Sequence, residues 1–175
     1  MHILLAEDNA VNQRLFQRHL SRIGSCTLAI VGDGQQALNY LAGPPATCPR
    51  PDIIFMDVSM PVMSGLEATQ IIRTQQPFIS DPRTPSTPII AIAANILRRQ
   101  MERYAQQGFD DVFAKPFRLS LLKEVIMFWS RRRVRPMTGG QLAVPLTGGP
   151  NLVVAPPVQW GPFPLRAFRG PRSLL

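Results

Sequence analysis

Cysteine is scarce in this chain of 175 residues, which contains only Cys26 and Cys48. Neither has a cysteine or histidine at the short spacing of a zinc site, and a single pair cannot form the disulfide framework of a small secreted domain. The composition therefore argues against zinc-binding modules and disulfide-stabilised scaffolds. The two residues are predicted to be ordinary thiols in a reducing compartment.

Long hydrophobic runs are also lacking. No uninterrupted apolar stretch approaches the roughly 20 residues that a membrane-spanning helix needs. Met1 leads directly into an apolar strand pattern, without the basic segment that begins a signal peptide. We therefore expect no membrane segment and a cytoplasmic or nuclear location. The hydrophobic content of 45% is nevertheless sufficient for a packed core.

Acidic residues are missing from the last quarter of the chain. Residues 131–175 contain seven Arg, eight Pro and six Gly but no acid, whereas residues 1–130 contain 12 basic and 11 acidic residues. A segment of that composition without apolar periodicity is typical of disordered chain. We predict a domain at 1–130 and a disordered tail at 131–175. The tail arginines suggest weak nucleic-acid or acidic-partner binding, although a tail without a specific partner is the favoured alternative.

Five short apolar runs alternate with five stretches of helical spacing. The predicted strands are 3–6, 27–31, 53–57, 89–93 and 112–114, and the predicted helices are 9–23, 35–41, 66–74, 96–107 and 119–129. This alternation indicates an α/β fold with a parallel sheet and right-handed crossovers. The glycine-rich turn of dinucleotide-binding domains does not follow the first strand, which excludes that class.

Charged residues follow three of the predicted strands. Glu7 and Asp8 follow the first strand, Asp57 ends the third and Lys115 follows the fifth. Because the carboxyl ends of parallel strands meet at one edge of the sheet, we expect these side chains to lie together. Asp57 taken alone is also compatible with a simple N-cap of the next helix.

The combination resembles the receiver domain of two-component response regulators over about residues 1–130. The matching residues are Glu7-Asp8-Asn9, Asp57 with Met60-Pro61 and Gly65, and Lys115-Pro116. The resemblance implies a flavodoxin-like (CheY-like) sheet of order 2-1-3-4-5 with helices on both faces. The segment from Asp8 to Gln13 looks like receivers of hybrid sensor kinases, which implies a histidine phosphotransfer protein or a histidine kinase as the partner.

The resemblance also implies a role for each matching residue. Asp57 would accept a phosphoryl group from a phosphohistidine donor, in a reaction catalysed by the domain itself and reversed by slow hydrolysis. Asp8, Asp57 and the main-chain carbonyl of Ser59 would bind Mg²⁺, with Glu7 acting through a water, and oxygen atoms are the ligands that this ion prefers. Lys115 would bind a phosphoryl oxygen. The chain contains no kinase catalytic segment and is compatible with a fragment of a hybrid kinase.

Two positions depart from the family pattern. Receivers usually have Thr or Ser at the end of the fourth strand and an aromatic residue three positions before the lysine. These positions are Ala93 and Val112 here, so both residues of the usual switch are missing. The alternative is therefore a degenerate receiver that acts as a phosphate-independent interaction module. A phosphatase with an aspartate nucleophile is disfavoured, because Ser59 stands where such enzymes have a second acid.

Overall fold

Five parallel strands form one sheet in the order β2-β1-β3-β4-β5, which confirms the predicted topology. The computed structural model describes residues 1–94 and 96–133. The elements are β1 (His2–Ala6), α1 (Ala10–Leu20), β2 (Thr27–Val31), α2 (Gly34–Ala42), β3 (Ile53–Asp57), α3 (Gly65–Thr74), β4 (Ile89–Ala93), α4 (Arg98–Gln106), β5 (Asp111–Ala114) and α5 (Leu119–Arg133). Two short 3-10 helices, Phe78–Ser80 and Thr84–Ser86, lie between α3 and β4.

Helices cover both faces of the sheet, as predicted. Alternate strand residues point to opposite faces, and every residue of β3 is buried. On one face Leu4, Ile54 and Met56 pack with residues of α2, α3 and α4. On the other face Ile3 and Phe55 pack with residues of α1 and α5. The unbroken apolar runs of β1, β3 and β4 are therefore explained by strands that are buried on both sides.

Several helix ends differ from the sequence prediction by a few residues. The side-chain oxygen of Asn9 accepts hydrogen bonds from the first-turn N–H groups of α1, so Asn9 is the N-cap and the helix starts at Ala10 rather than at residue 9. That helix ends at Leu20 rather than at residue 23, because residues 21–23 form tighter turns that lead to Gly24, whose φ is 130°. At α4, Leu97 has extended backbone angles and acts as the N-cap, so the helix starts at Arg98 rather than at 96.

The segment between α3 and β4 is held in place by Arg73 in the last turn of α3. Its guanidinium donates hydrogen bonds to the main-chain oxygens of Gly108 (3.0 Å), Pro85 (2.8 Å) and Thr87 (3.1 Å). It also forms an ion pair with Asp110 at 2.6 Å, and the Arg73 side chain is only 17% exposed. One side chain thus joins α3, the loop before β4 and the turn before β5.

The last helix, α5, continues to Arg133 rather than ending at 129, so the first three residues of the predicted tail are helical. The division into a domain at 1–130 and a tail at 131–175 stays a prediction. Its far end is attached to the sheet, because the indole Nε1 of Trp129 donates to Asp111 Oδ2 at 3.4 Å. The guanidinium of Arg132 also lies 4.8 Å from the centre of the Phe128 ring, a cation–π contact.

The predicted disorder of 134–175 lies outside the described residues. Within the described part of the chain, no helix combines the length and apolar character needed to cross a membrane.

Candidate functional site

The three strand ends that carry the predicted site residues meet at the carboxyl edge of the sheet. Asp57 is the last residue of β3, and Glu7 and Asp8 directly follow β1. The start of α3 lies against β3, since a Cβ atom added to Gly65 would overlap the main-chain oxygen of Asp57. The N-cap of α3 is Ser64, whose hydroxyl accepts from the N–H of Glu67. The interpretation of Asp57 as a simple N-cap is therefore wrong.

Lys115 lies between two buried carboxylates. Its Nζ atom is 2.6 Å from Asp57 Oδ2 and 2.8 Å from Glu7 Oε2. The Lys115 side chain is 20% exposed, whereas those of Glu7 and Asp57 are 0% and 6% exposed. The structure therefore brings the predicted lysine and two of the predicted acids into direct contact.

Burial and neighbouring charges shift the pKa values of both Asp57 and Lys115. Burial raises the pKa of Asp57, and the charge of Glu7 adds to that effect, although hydrogen bonds from Lys115 and from the N–H of Ser59 oppose it. For Lys115, burial lowers the pKa, but the hydrogen bonds and charges of Asp57 and Glu7 outweigh burial and raise it overall. The lysine is thus held as a cation, and the site concentrates negative charge that a second cation would relieve.

The acidic cluster fits a divalent cation. One carboxylate oxygen from each of Glu7, Asp8 and Asp57 lies within 4.8 Å of the others. Glu7 Oε2 is buried and, apart from its ion pair with Lys115, accepts no aligned hydrogen bond from the described residues. Asp8 is exposed, so water has access to one side of the cluster. An all-oxygen set with room for water matches the needs of Mg²⁺.

Ser59 fixes the orientation of the Asp57 carboxylate, a contact that sequence reasoning did not identify. Its main-chain N–H donates to Asp57 Oδ1 at 3.2 Å. Lys115 takes the other oxygen, Oδ2. The role of the Ser59 carbonyl as a metal ligand stays a prediction.

Two further side chains near the site were not assigned a role from the sequence. The amide nitrogen of Asn12 donates to Glu7 Oε1 at 2.9 Å, and that of Gln13 donates to the main-chain oxygen of Glu7 at 2.6 Å. Both lie in the first turn of α1, and their distance in sequence from Glu7 reflects the turn between β1 and the helix. The only signal in the sequence was their place in the segment that resembles hybrid-kinase receivers.

An exposed apolar residue with strained backbone lies in the loop after Asp57. Val62 has a φ of 66° and is 86% exposed. A β-branched residue in the left-handed region is a genuine outlier that costs of order 1–3 kcal/mol. Nothing in the amino-acid sequence indicated this backbone conformation at Val62.

Ala93 and Val112, the two positions that depart from the family pattern, both lie in the core. They are 2% and 9% exposed and pack in the same apolar cluster as Tyr104 and Met101 of α4. Phe113, the neighbouring aromatic residue, points to the opposite face of the sheet and packs in the cluster of Phe55. Of these two neighbours, Val112 is therefore the one that faces α4.

The sheet order, the acid cluster and the adjoining lysine are those expected of a receiver fold. The family described as "Response regulator receiver domain" matches residues 3–127, and the chain belongs to this family. The recognition made from the sequence is therefore confirmed.

Similar proteins come from several kingdoms. The chain is 35% identical over 141 residues to the transcription factor SKN7 of Saccharomyces cerevisiae and 38% identical over 124 residues to the hybrid signal transduction histidine kinase I of Dictyostelium discoideum. These matches cover 81% and 71% of this chain but only 20% and 7% of the relatives, so the chain spans a fifth or less of their length.

A solved structure gives the same fold at similar identity. The receiver domain of a sensor histidine kinase from Pseudomonas aeruginosa is 36% identical, with a TM-score of 0.60 over 73% of this chain and 95% of that one. That structure was described with a magnesium ion coordinated in its active-site cleft. The parallel order 2-1-3-4-5 is thus shared with an experimentally determined receiver.

Magnesium is expected to raise the melting temperature of the wild-type chain, because an ion that binds only the folded state stabilises it by mass action. Asp8→Ala should remove this response, since it deletes the exposed carboxylate of the cluster. Thermal melts with and without millimolar Mg²⁺ measure the effect. Glu102→Ala, which removes a 65%-exposed acid on α4, should keep it. An unchanged Mg²⁺ response in Asp8→Ala would mean that the ions bind elsewhere.

Proposed function

We propose that this chain accepts a phosphoryl group from a phosphohistidine donor onto Asp57 in a Mg²⁺-dependent phosphorelay. The observation that supports the proposal best is the position of Lys115 Nζ, 2.6 Å from a buried carboxylate that also belongs to a three-acid cluster. A carboxylate is a competent nucleophile toward phosphorus once the repulsion between two anions is overcome. The cation of Lys115 and a divalent ion would both reduce that repulsion.

Each group has a separate task in the transfer. An oxygen of Asp57 forms a bond to phosphorus while the bond from phosphorus to the histidine nitrogen breaks, and the imidazole leaves. Mg²⁺, held by Asp8, Asp57 and the Ser59 carbonyl with Glu7 acting through water, would neutralise charge on the phosphoryl oxygens. Lys115 exchanges part of its contact with Asp57 for a phosphoryl oxygen. Slow hydrolysis then releases inorganic phosphate and regenerates the carboxylate.

The partner that supplies the phosphoryl group would be a histidine kinase or a histidine phosphotransfer protein. Relatives named as hybrid and sensor histidine kinases support this class of partner. Val11, at the start of α1 beside the acidic residues, is 72% exposed and available for contact. Leu15, one turn further along α1, packs against the core and is therefore less available for contact with a partner. A cytoplasmic or nuclear location would suit these partners and the relative that is named a transcription factor.

The proposal is tested by intact-mass measurement after incubation with phosphoramidate, whose phosphorus–nitrogen bond mimics phosphohistidine. With Mg²⁺, the mass should increase by one phosphoryl group, and the label should be released by hydroxylamine, which cleaves acyl phosphates. With a chelator in place of Mg²⁺, the mass should stay unchanged. Failure to label under any of these conditions, with phosphoramidate and with acetyl phosphate, would instead favour the phosphate-independent module suggested by Ala93 and Val112.

A further inference from the structure

The carboxylate of Glu7 has two oxygens in different surroundings. Oε1 accepts hydrogen bonds from the Asn12 side chain at 2.9 Å, from Lys115 at 3.2 Å and from the N–H of Asn9 at 3.3 Å. Oε2 is buried, lies 2.8 Å from Lys115 Nζ and accepts no aligned hydrogen bond from the described residues. One oxygen is therefore saturated with donors, while the other retains lone pairs.

Asn12 makes the shortest hydrogen bond to Oε1. The amide must present its nitrogen rather than its oxygen, because an ionised carboxylate only accepts hydrogen bonds. Asn12 lies in the first turn of α1, which Asn9 caps, so the donor is held on a rigid element. Gln13 adds a second restraint on the same residue by donating to the main-chain oxygen of Glu7 at 2.6 Å.

We infer that Asn12 is a positioning residue for the proposed cation site, because its amide holds Glu7 with Oε1 turned away and Oε2 left for the ion or its water. The inference rests on the proposed function, since it assigns a second task to the same acidic cluster. Without Asn12, the buried Oε1 would depend more on Lys115, which would draw the ammonium group away from Asp57. Partners that orient metal ligands in this way commonly change metal affinity by about 10- to 100-fold when they are removed.

The test is the affinity for Mg²⁺ alone, measured by titrating amide chemical shifts of the full chain. Asn12→Ala should bind Mg²⁺ about tenfold more weakly than the wild type. This variant is expected to fold, because alanine is a better helix former than asparagine. Gln17→Ala is the matched control: it also removes an amide from α1, but from its exposed side, and it should bind Mg²⁺ as the wild type does.

A double-mutant cycle shows whether Asn12 acts through Glu7. In a Glu7→Gln background, Asn12→Ala should change Mg²⁺ affinity less than about twofold, because the carboxylate that it orients is gone. An equal loss in both backgrounds would show an effect on the fold and overturn the inference. Wild-type affinity in the single Asn12→Ala variant would overturn it too, while leaving the proposed function intact. A wild-type chain that binds no Mg²⁺ would overturn both.

Discussion

Asp57→Asn is expected to abolish phosphorylation of the chain by phosphoramidate or acetyl phosphate. The side chain keeps its size, but an amide oxygen is a far poorer nucleophile than a carboxylate, and one of the proposed ligands of the ion becomes neutral. Lys115 keeps its contact with Glu7 at 2.8 Å, so the loss would reflect the missing nucleophile and not a displaced lysine. Intact-mass measurement should show a full phosphoryl increment in the wild type and none in the variant.

The melting temperature of Asp57→Asn distinguishes a loss of phosphorylation from a loss of folding. Asp57 is one of three crowded carboxylates, and burial together with the charge of Glu7 raises its pKa. Removing its charge relieves repulsion in buffer without Mg²⁺, so Asp57→Asn should melt no lower than the wild type.

Asp33→Asn provides the matched control for the acceptor. Asp33 is also a buried acid at the carboxyl edge of the sheet, but it caps α2 by accepting from the N–H of Gln36 at 2.8 Å. Asparagine is an equally good N-cap, so this variant should fold and be phosphorylated normally. Phosphorylation of Asp57→Asn to the wild-type extent would refute the assignment of the acceptor.

Arg73→Ala is expected to lower the free energy of unfolding by about 3 kcal/mol. The guanidinium donates to three main-chain oxygens and to Asp110, which also accepts from the N–H of Ile89 at 2.8 Å. Breaking a buried ion pair costs roughly 3–5 kcal/mol. The value expected here is at the low end, because the Asp110 side chain is 34% exposed and water would partly replace the lost donor. Urea unfolding in Mg²⁺-free buffer measures the change.

Arg83→Ala is the control for that measurement. Arg83 also forms an ion pair, with Asp52 at 3.1 Å, but its side chain is 50% exposed. Exposed pairs contribute about 0–1 kcal/mol, so this variant should be nearly as stable as the wild type. Arg73→Lys should have an intermediate free energy of unfolding, because an ammonium group cannot reproduce the planar, forked arrangement of N–H donors in a guanidinium. Equal losses in Arg73→Ala and Arg83→Ala would show that the loop is held in another way.

The strands and their charged ends were predictable because simple physics determines both. A strand buried on two faces needs an unbroken apolar run, as in Ile53–Met56, and parallel topology brings every carboxyl end to one edge. Asp57 and Lys115 could therefore be paired across a sequence separation of 58 residues before their distance was known.

The contacts that were missed depend on geometry that no local pattern records. Arg73 reaches main-chain oxygens, which every residue possesses, so the sequence does not reveal its partners. The helix ends at Leu20 and Arg98 are set by single turns, where local preferences are weak. The hydrogen bond from Asn12 to Glu7 could not be predicted, because it depends on the path of the backbone in the turn between β1 and α1.

The direction of α5 sets a spacing between the acidic edge and the chain that continues after it. The helix begins just beyond Lys115 and ends beside Asp111, at the opposite edge of the sheet. Its 15 residues rise by about 1.5 Å each, which amounts to roughly 22 Å. A sequence joined after Arg133 therefore starts at the far end of α5 and not at the edge of the sheet that carries Asp57. Any group tethered there reaches the proposed acceptor site only if its linker spans the distance between the two edges, so linker length would set its effective concentration at Asp57.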